Sequence, residues 1–125
     1  MKKVAILIGS VRPNRRSKQV ADWLRVQLMK SQQVHFDVVD LKKVNLPMLD
    51  EPHIPFTGLY THAKTRKWSK LVQSYDGFIF LFPQYNWGYP AALKNAIDSL
   101  ATADYRLHTH DDEAALLRQE FENVL

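Results

Sequence analysis

Apolar positions change rhythm several times along the chain, and each change predicts an element. Val4-Ala5-Ile6-Leu7-Ile8 is unbroken apolar sequence, the pattern of a strand covered on both faces, so residues 2–9 read as a buried strand of a parallel sheet. From residue 17 to about 30 the spacing turns helical. Val20, Leu24 and Leu28 share one stripe with Ala21 beside it, while Asp22, Arg25 and Gln27 face away. Residues 34–41 read as a second strand through Phe36-Asp37-Val38-Val39. Residues 42–59 hold Pro47, Pro52, Pro55 and Gly58, which predicts a surface connection with little regular structure. Residues 60–74 read as a second helix with Trp68, Leu71 and Val72 turned inward, and Asp76-Gly77 makes a turn into the apolar run 78–82. A third helix is expected from Pro90 to about residue 101, with proline in its first turn, where a missing N–H costs nothing. Asp111 or Asp112 caps a last helix whose Ala114, Leu117, Phe121 and Val124 share a face.

The predicted order βαβαβαα, with helices between strands, implies a parallel sheet joined by right-handed crossovers. A chain of 125 residues fits a single domain spanning 1–125. There are no repeats and no low-complexity tracts. No stretch approaches the roughly 18 apolar residues of a membrane span, and the apolar run at the amino end is too short for a signal-peptide core. Cysteine is absent, which excludes disulfides, thiolate nucleophiles and cysteine metal sites and points to a cytoplasmic address. The net charge is +4, and Arg12, Arg15, Arg16 and Lys18 sit close together among the 17 basic residues. That clustering favours an anionic ligand at one place over a polyanion spread across a face. Nucleic acid is therefore not an expected partner, because a single short basic run lacks an extended footprint.

Two loops carry candidate chemistry. The first, residues 9–17 (Gly9-Ser10-Val11-Arg12-Pro13-Asn14-Arg15-Arg16-Ser17), joins a buried strand to a helix amino terminus, where unpaired N–H groups and the positive dipole end gather. Two hydroxyls and up to three guanidinium groups add donors suited to a phosphate monoester. It is neither a Walker loop nor G-x-G-x-x-G, so a terminal monophosphate fits better than a pyrophosphate. The plainer alternative has Ser17 as a helix cap and the arginines in solvent. The second loop, Pro83-Gln84-Tyr85-Asn86-Trp87-Gly88-Tyr89-Pro90, follows the third strand. Ligands of open parallel sheets sit outside the carboxyl ends of strands where strand order reverses, so the two loops should border one crevice. Three aromatic rings, an amide and a glycine offer stacking surface and backbone donors for a flat heteroaromatic ring. The alternative is that Tyr85, Trp87 and Tyr89 simply cover the sheet end.

Gly9-Ser10-Val11-Arg12 with Ser17, Lys64-Thr65-Arg66-Lys67-Trp68-Ser69, and the run from Pro83 to Asp98 (PQYNWGYPAALKNAID) resemble the NADPH-dependent FMN reductases and the related quinone and azo-dye reductases. The resemblance spans residues 1 to about 100. It implies a flavodoxin-like, doubly wound α/β fold with bound FMN and with NADPH or NADH as reductant. By position, Ser10, Arg12 and Ser17 match the residues that hold the FMN phosphate, with Arg15 or Arg16 as additional partners. Pro83, Gln84, Tyr85, Asn86 and Trp87 match the loop against the isoalloxazine ring. The family uses no dedicated catalytic acid, base or nucleophile. Hydride passes from nicotinamide to flavin N5, and electrons then go to a quinone, azo compound, metal ion or free flavin. Many relatives are dimers with the flavin near the interface, so a homodimer or higher homo-oligomer is implied.

The resemblance stops after Asp98-Ser99-Leu100. Family members continue into a fourth strand, a glycine-rich loop, a helix and a fifth strand, whereas residues 101–110 are polar and residues 111–125 resemble the family's closing helix. Roughly 60 residues, two βα units, are missing from the pattern. Without those strands the run 78–82 lies on the sheet edge, a hazard for pairing or aggregation. Three accounts stay open: an edge-paired dimer, a defective gene product, or omitted residues. A non-catalytic binding domain with an incomplete flavin site is the alternative function. His108-Thr109-His110-Asp111-Asp112 reads as a solvated loop rather than a metal site, and no metal is expected. Met48, Leu49 and Pro55 either fringe the substrate opening or form ordinary surface chain.

Overall fold

The computed structural model describes residues 1–101. Among them three strands, β1 (Lys2–Ile8), β2 (Val34–Asp40) and β3 (Gly77–Leu81), form a parallel sheet in the order β2-β1-β3. In register, Ile8 of β1 lies beside Asp40 of β2 on one side and Leu81 of β3 on the other. The central strand is buried on both faces, with Val4 to Ile8 at 1% exposure or less, which is why its sequence is continuously apolar.

Each face of the sheet has its own core. On one, Val4, Ile6 and Ile8 with Val34 and Phe36 meet Ala21, Leu24 and Leu28 of α1 (Ser17–Leu28). On the other, Ala5, Leu7 and Val39 meet Trp68, Val72 and Tyr75 along α3 (Ala63–Gln73) and its end, and Leu93 and Ala96 of α4 (Ala91–Asp98). The Trp68 indole N–H donates to the Ala96 carbonyl at 3.2 Å, so the largest buried ring also satisfies its polar atom.

Several boundaries differ from the sequence expectation. The stripe of α1 is Ala21, Leu24 and Leu28, while Val20 is exposed. The second strand stops at Asp40 because its carboxylate accepts from the Lys42 N–H at 3.0 Å, capping a short helix α2 (Leu41–Val44) inside what reads as irregular chain. The same connection holds a 3₁₀ turn at Pro55–Thr57. Residues 60–62 are not helical. Glu51 accepts from the N–H groups of Thr61 (2.7 Å) and His62 (3.0 Å) and from the Thr61 hydroxyl, which keeps these residues extended until α3 begins. The first residues of β3 are tied to β1 by the Lys3 N–H to the Asp76 carboxylate (2.9 Å) and the Asp76 N–H to the Lys3 carbonyl (2.7 Å). As expected, β3 lies at an edge among the described residues, and Phe80 and Phe82 are 37% and 43% exposed. The expected closing helix and the run from His108 to Asp112 lie outside the described residues. No helix among the described residues is long and apolar enough to cross a membrane.

Candidate functional site

The two loops singled out in the sequence leave adjacent strands at the same end of the sheet. The ladder between β1 and β3 continues one step further, with the Gly9 N–H donating to the Leu81 carbonyl at 2.9 Å. A side chain at position 9 would bring its Cβ to 3.0 Å from Phe82 Cβ and 3.3 Å from Leu93 Cβ. Glycine suits the close approach of α4 and the third-strand end, since a Cβ here would make its neighbours give by a few tenths of an ångström. Directly afterwards, the Ser10 hydroxyl meets the Tyr85 hydroxyl at 2.7 Å. Ser10 is fully buried, so this contact pins the first loop to the second from beneath.

Arg15 turns inward. Its guanidinium donates to the Ser10 carbonyl at 3.0 Å and pairs with the Asp40 carboxylate at the end of β2. Both side chains are more than nine-tenths buried, and Arg15 Nε has no acceptor among the described residues. Arg12 and Arg16 are exposed, and neither guanidinium has a partner among the described residues. Arg16 occupies the N-cap position of α1, with no side-chain cap bond, and Ser17 is the first helical residue. The plain alternative of Ser17 as cap is therefore not what the helix shows. The first-turn N–H groups of α1 remain available to an anion.

The second loop closes as a two-residue hairpin turn. Tyr85 and Gly88 exchange backbone hydrogen bonds at 2.9 and 3.0 Å, and the two residues between them, Asn86 and Trp87, both have positive φ (49° and 67°). That is the backbone of a type I′ turn. Asparagine tolerates it, but a tryptophan there is uncommon. The turn throws Trp87 out until it is 94% exposed, with Gln84 and Asn86 also exposed and Pro83 partly covered.

The ten sequence candidates thus fall into three groups. Ser10, Arg15 and Tyr85 are joined in one network. Arg16 and Ser17 stand at the start of α1, with Arg12 exposed on the loop that leads to it. Pro83, Gln84, Asn86 and Trp87 form the projecting turn. A cleft of about 440 Å³ opens next to the first loop, lined by Val11, Leu41, Lys42, Met48, Ala92 and Asn95 among others. None of the ten lines it, although Val11, which does, is the chain neighbour of Ser10 and Arg12. Of Met48, Leu49 and Pro55, which read either as a fringe of the substrate opening or as ordinary surface chain, only Met48 is among the residues lining this cleft. Asp40 and Asn95 escaped the sequence reading. Asp40 could have been found from topology, because a residue at the end of β2 must lie beside the loop leaving β1. Asn95 donates to the Pro47 carbonyl (3.0 Å) and accepts from the Leu49 N–H (2.9 Å), fastening the proline-rich connection to α4; no local signal announces that.

Comparison with known proteins agrees with this geometry. The sequence model of the family described as NADPH-dependent FMN reductase matches residues 2–117. The chain is 40% identical over 109 residues to the NAD(P)H-dependent FMN reductase LOT6 of Saccharomyces cerevisiae, covering 78% of this chain and 57% of that protein. It is likewise 40% identical over 100 residues to the NAD(P)H-dependent FMN reductase C4B3.06c of Schizosaccharomyces pombe, with 78% and 50% covered. The chain spans about half the length of the curated relatives it matches. Among solved structures, the NAD(P)H:quinone oxidoreductase of Methanothermobacter marburgensis superposes with a TM-score of 0.64 at 18% identity, over 79% of this chain and 53% of that one. With the family model covering residues 2–117 and two curated relatives at 40% identity, the chain, whose flavodoxin-like sheet feeds a serine–arginine loop and a tyrosine–tryptophan turn, belongs to the NADPH-dependent FMN reductase family.

Proposed function

We propose that the chain binds FMN across its two loops and serves NAD(P)H-dependent reduction of a small acceptor, a quinone, azo compound, metal ion or free flavin. The observation that carries this reading is the Ser10–Tyr85 contact at 2.7 Å, which makes one site of two loops at the point where strand order reverses. The residues fit a phosphorylated flat ring. Arg12, Arg16 and Ser17 would hold the phosphate at the uncapped start of α1, while Ser10 and Arg15 fix the loop beneath it. Pro83, Gln84, Tyr85, Asn86 and Trp87 would set main-chain groups and an exposed indole against the ring. When bound, FMN supplies the redox chemistry, taking two electrons from NAD(P)H and giving them to the acceptor. The protein's own part is to position the ring, neutralise the phosphate and shape the opening. A cytoplasmic, self-associating protein belongs to the same proposal.

Saturating FMN should raise the melting temperature and riboflavin should raise it much less, since it lacks the phosphate. Arg12→Ala combined with Arg16→Ala should remove that difference. Equal shifts for the two flavins, or none for either, would overturn the reading.

The edge that β3 presents among the described residues favours a second reading, a non-catalytic binding domain with an incomplete flavin site. An FMN-loaded sample whose NADPH oxidation stays at background would decide for it.

A further inference from the structure

A second cleft, of about 500 Å³, runs along the outer edge of β2 between α2 and α3. None of its lining residues belongs to either loop of the proposed flavin site. Its floor is apolar: Val39, Val44, Trp68, Leu71 and Tyr75. Its walls carry three ammonium groups, Lys43 from α2 and Lys64 and Lys67 from α3. The spacing of Lys64 and Lys67 sets them on one side of their helix. All three are exposed, and none has an ion-pair or hydrogen-bond partner among the described residues.

The carboxylates nearby do not balance these charges. Asp40 itself lines the cleft, but its carboxylate is committed to Arg15 and the Lys42 N–H. Asp37 lies on the neighbouring stretch of β2 and accepts from the Tyr75 hydroxyl at 3.1 Å and meets His35 Nε2 at 2.9 Å. Burial, the charge of Asp37 and this bond push the Tyr75 pKa up to about 12, so the hydroxyl stays a neutral donor. The strand edge contributes as well. The Phe36 carbonyl faces outward, where it accepts from Arg25 Nε at 3.3 Å, so the alternation of backbone groups turns the Val38 N–H to the same side, at the cleft.

We propose that this cleft is a second ligand site, for a phosphorylated compound with a flat ring. Its phosphate lies among Lys43, Lys64 and Lys67, and its ring rests on Val39, Leu71 and Tyr75. Three like charges on lysines lining one concave surface repel one another, and an anion bound among them relieves that repulsion. Lysine ammoniums act as point charges that collect round a phosphate, without the fixed fork that arginine would impose. The volume is that of a small-molecule pocket, with an apolar bed and a few converging polar groups.

Adenosine 5′-diphosphate, adenosine and inorganic phosphate serve as probes. Each is titrated into the protein by calorimetry, with the Trp68 indole N–H, which lies in the core beneath the cleft floor, followed by NMR as a reporter. Adenosine 5′-diphosphate should bind saturably and move the indole signal. Binding should weaken by about tenfold or more in a Lys43→Gln, Lys64→Gln, Lys67→Gln variant, and be unchanged in Arg12→Gln, Arg16→Gln. That second variant separates this site from the flavin site, since it disables only the latter. Circular dichroism shows whether the triple variant keeps its fold; if it does not, single Lys64→Gln and Lys67→Gln variants replace it, each expected to weaken binding. No saturable binding to the wild type up to about 5 mM overturns the proposal. So does undiminished binding in folded lysine variants, or loss confined to the arginine variant. Inorganic phosphate binding as tightly as the diphosphate refutes the part assigned to the ring.

Discussion

Arg15 and Asp40 face each other with side chains 7% and 6% exposed, so neither charge has solvent to fall back on if the other is lost. Such a pair contributes little over an apolar replacement, but breaking it strands a buried charge. Asp40→Ala is therefore expected to destabilise the protein by about 3–5 kcal/mol, read as a lower urea midpoint. A loss near zero would mean that Arg15 swings out to water when released. The guanidinium also holds the Ser10 carbonyl, so the same substitution should loosen the first loop and weaken FMN binding. Asp40 thus has three parts at once: it ends β2, caps α2 and neutralises Arg15 beneath the first loop.

Among the elements, the connection between β2 and α3 is held by side chains rather than by regular structure. Glu51 gathers three donors from Thr61 and His62. Burial pushes its pKa up, but the Thr61 hydroxyl, the two N–H groups and the charge of His62 outweigh it, so the pKa falls from 4.5 to about 2. A carboxylate with a lowered folded pKa stabilises the fold above its ordinary pKa and loses that contribution as the pH falls through the folded value. The stability difference between wild type and Glu51→Gln should accordingly be constant above about pH 5 and shrink towards pH 2. A pH-independent difference would place Glu51 in open water. How much of this was readable from the sequence depends on whether the cause is local. The run Val4 to Ile8 announces a doubly covered strand because burial on both faces dictates apolar residues throughout. The face of α1 was misjudged by one position because Val20 and Ala21 are both apolar and periodicity alone cannot choose between them. The short helix after Asp40 was hidden by the prolines that follow it, and Glu51 acts across 10 or 11 positions of sequence. The two loops of the candidate site were legible from composition and placement. The turn at Asn86 and Trp87 was not, because a positive φ at tryptophan runs against local preference.

For the whole molecule, the edge that β3 presents among the described residues is expected to set behaviour in concentrated solution. Among the described residues β3 pairs only with β1, and Phe80 and Phe82 are partly exposed. An apolar edge with unpaired backbone groups invites another strand, and lysine at an edge discourages it. Phe80→Lys should shift the sedimentation profile towards monomer; a wild type already monomeric at high concentration would refute that expectation. The sheet also has a single shared member. Both cores rest on β1, one through Val4, Ile6 and Ile8 and the other through Ala5 and Leu7, so neither face can come apart fully without disturbing that strand. In heavy water its amides should consequently be the last to acquire deuterium, with those of α2 and the 3₁₀ turn exchanging early. The order of labelling then gives a map of which parts of the molecule open by themselves and which open only when everything does.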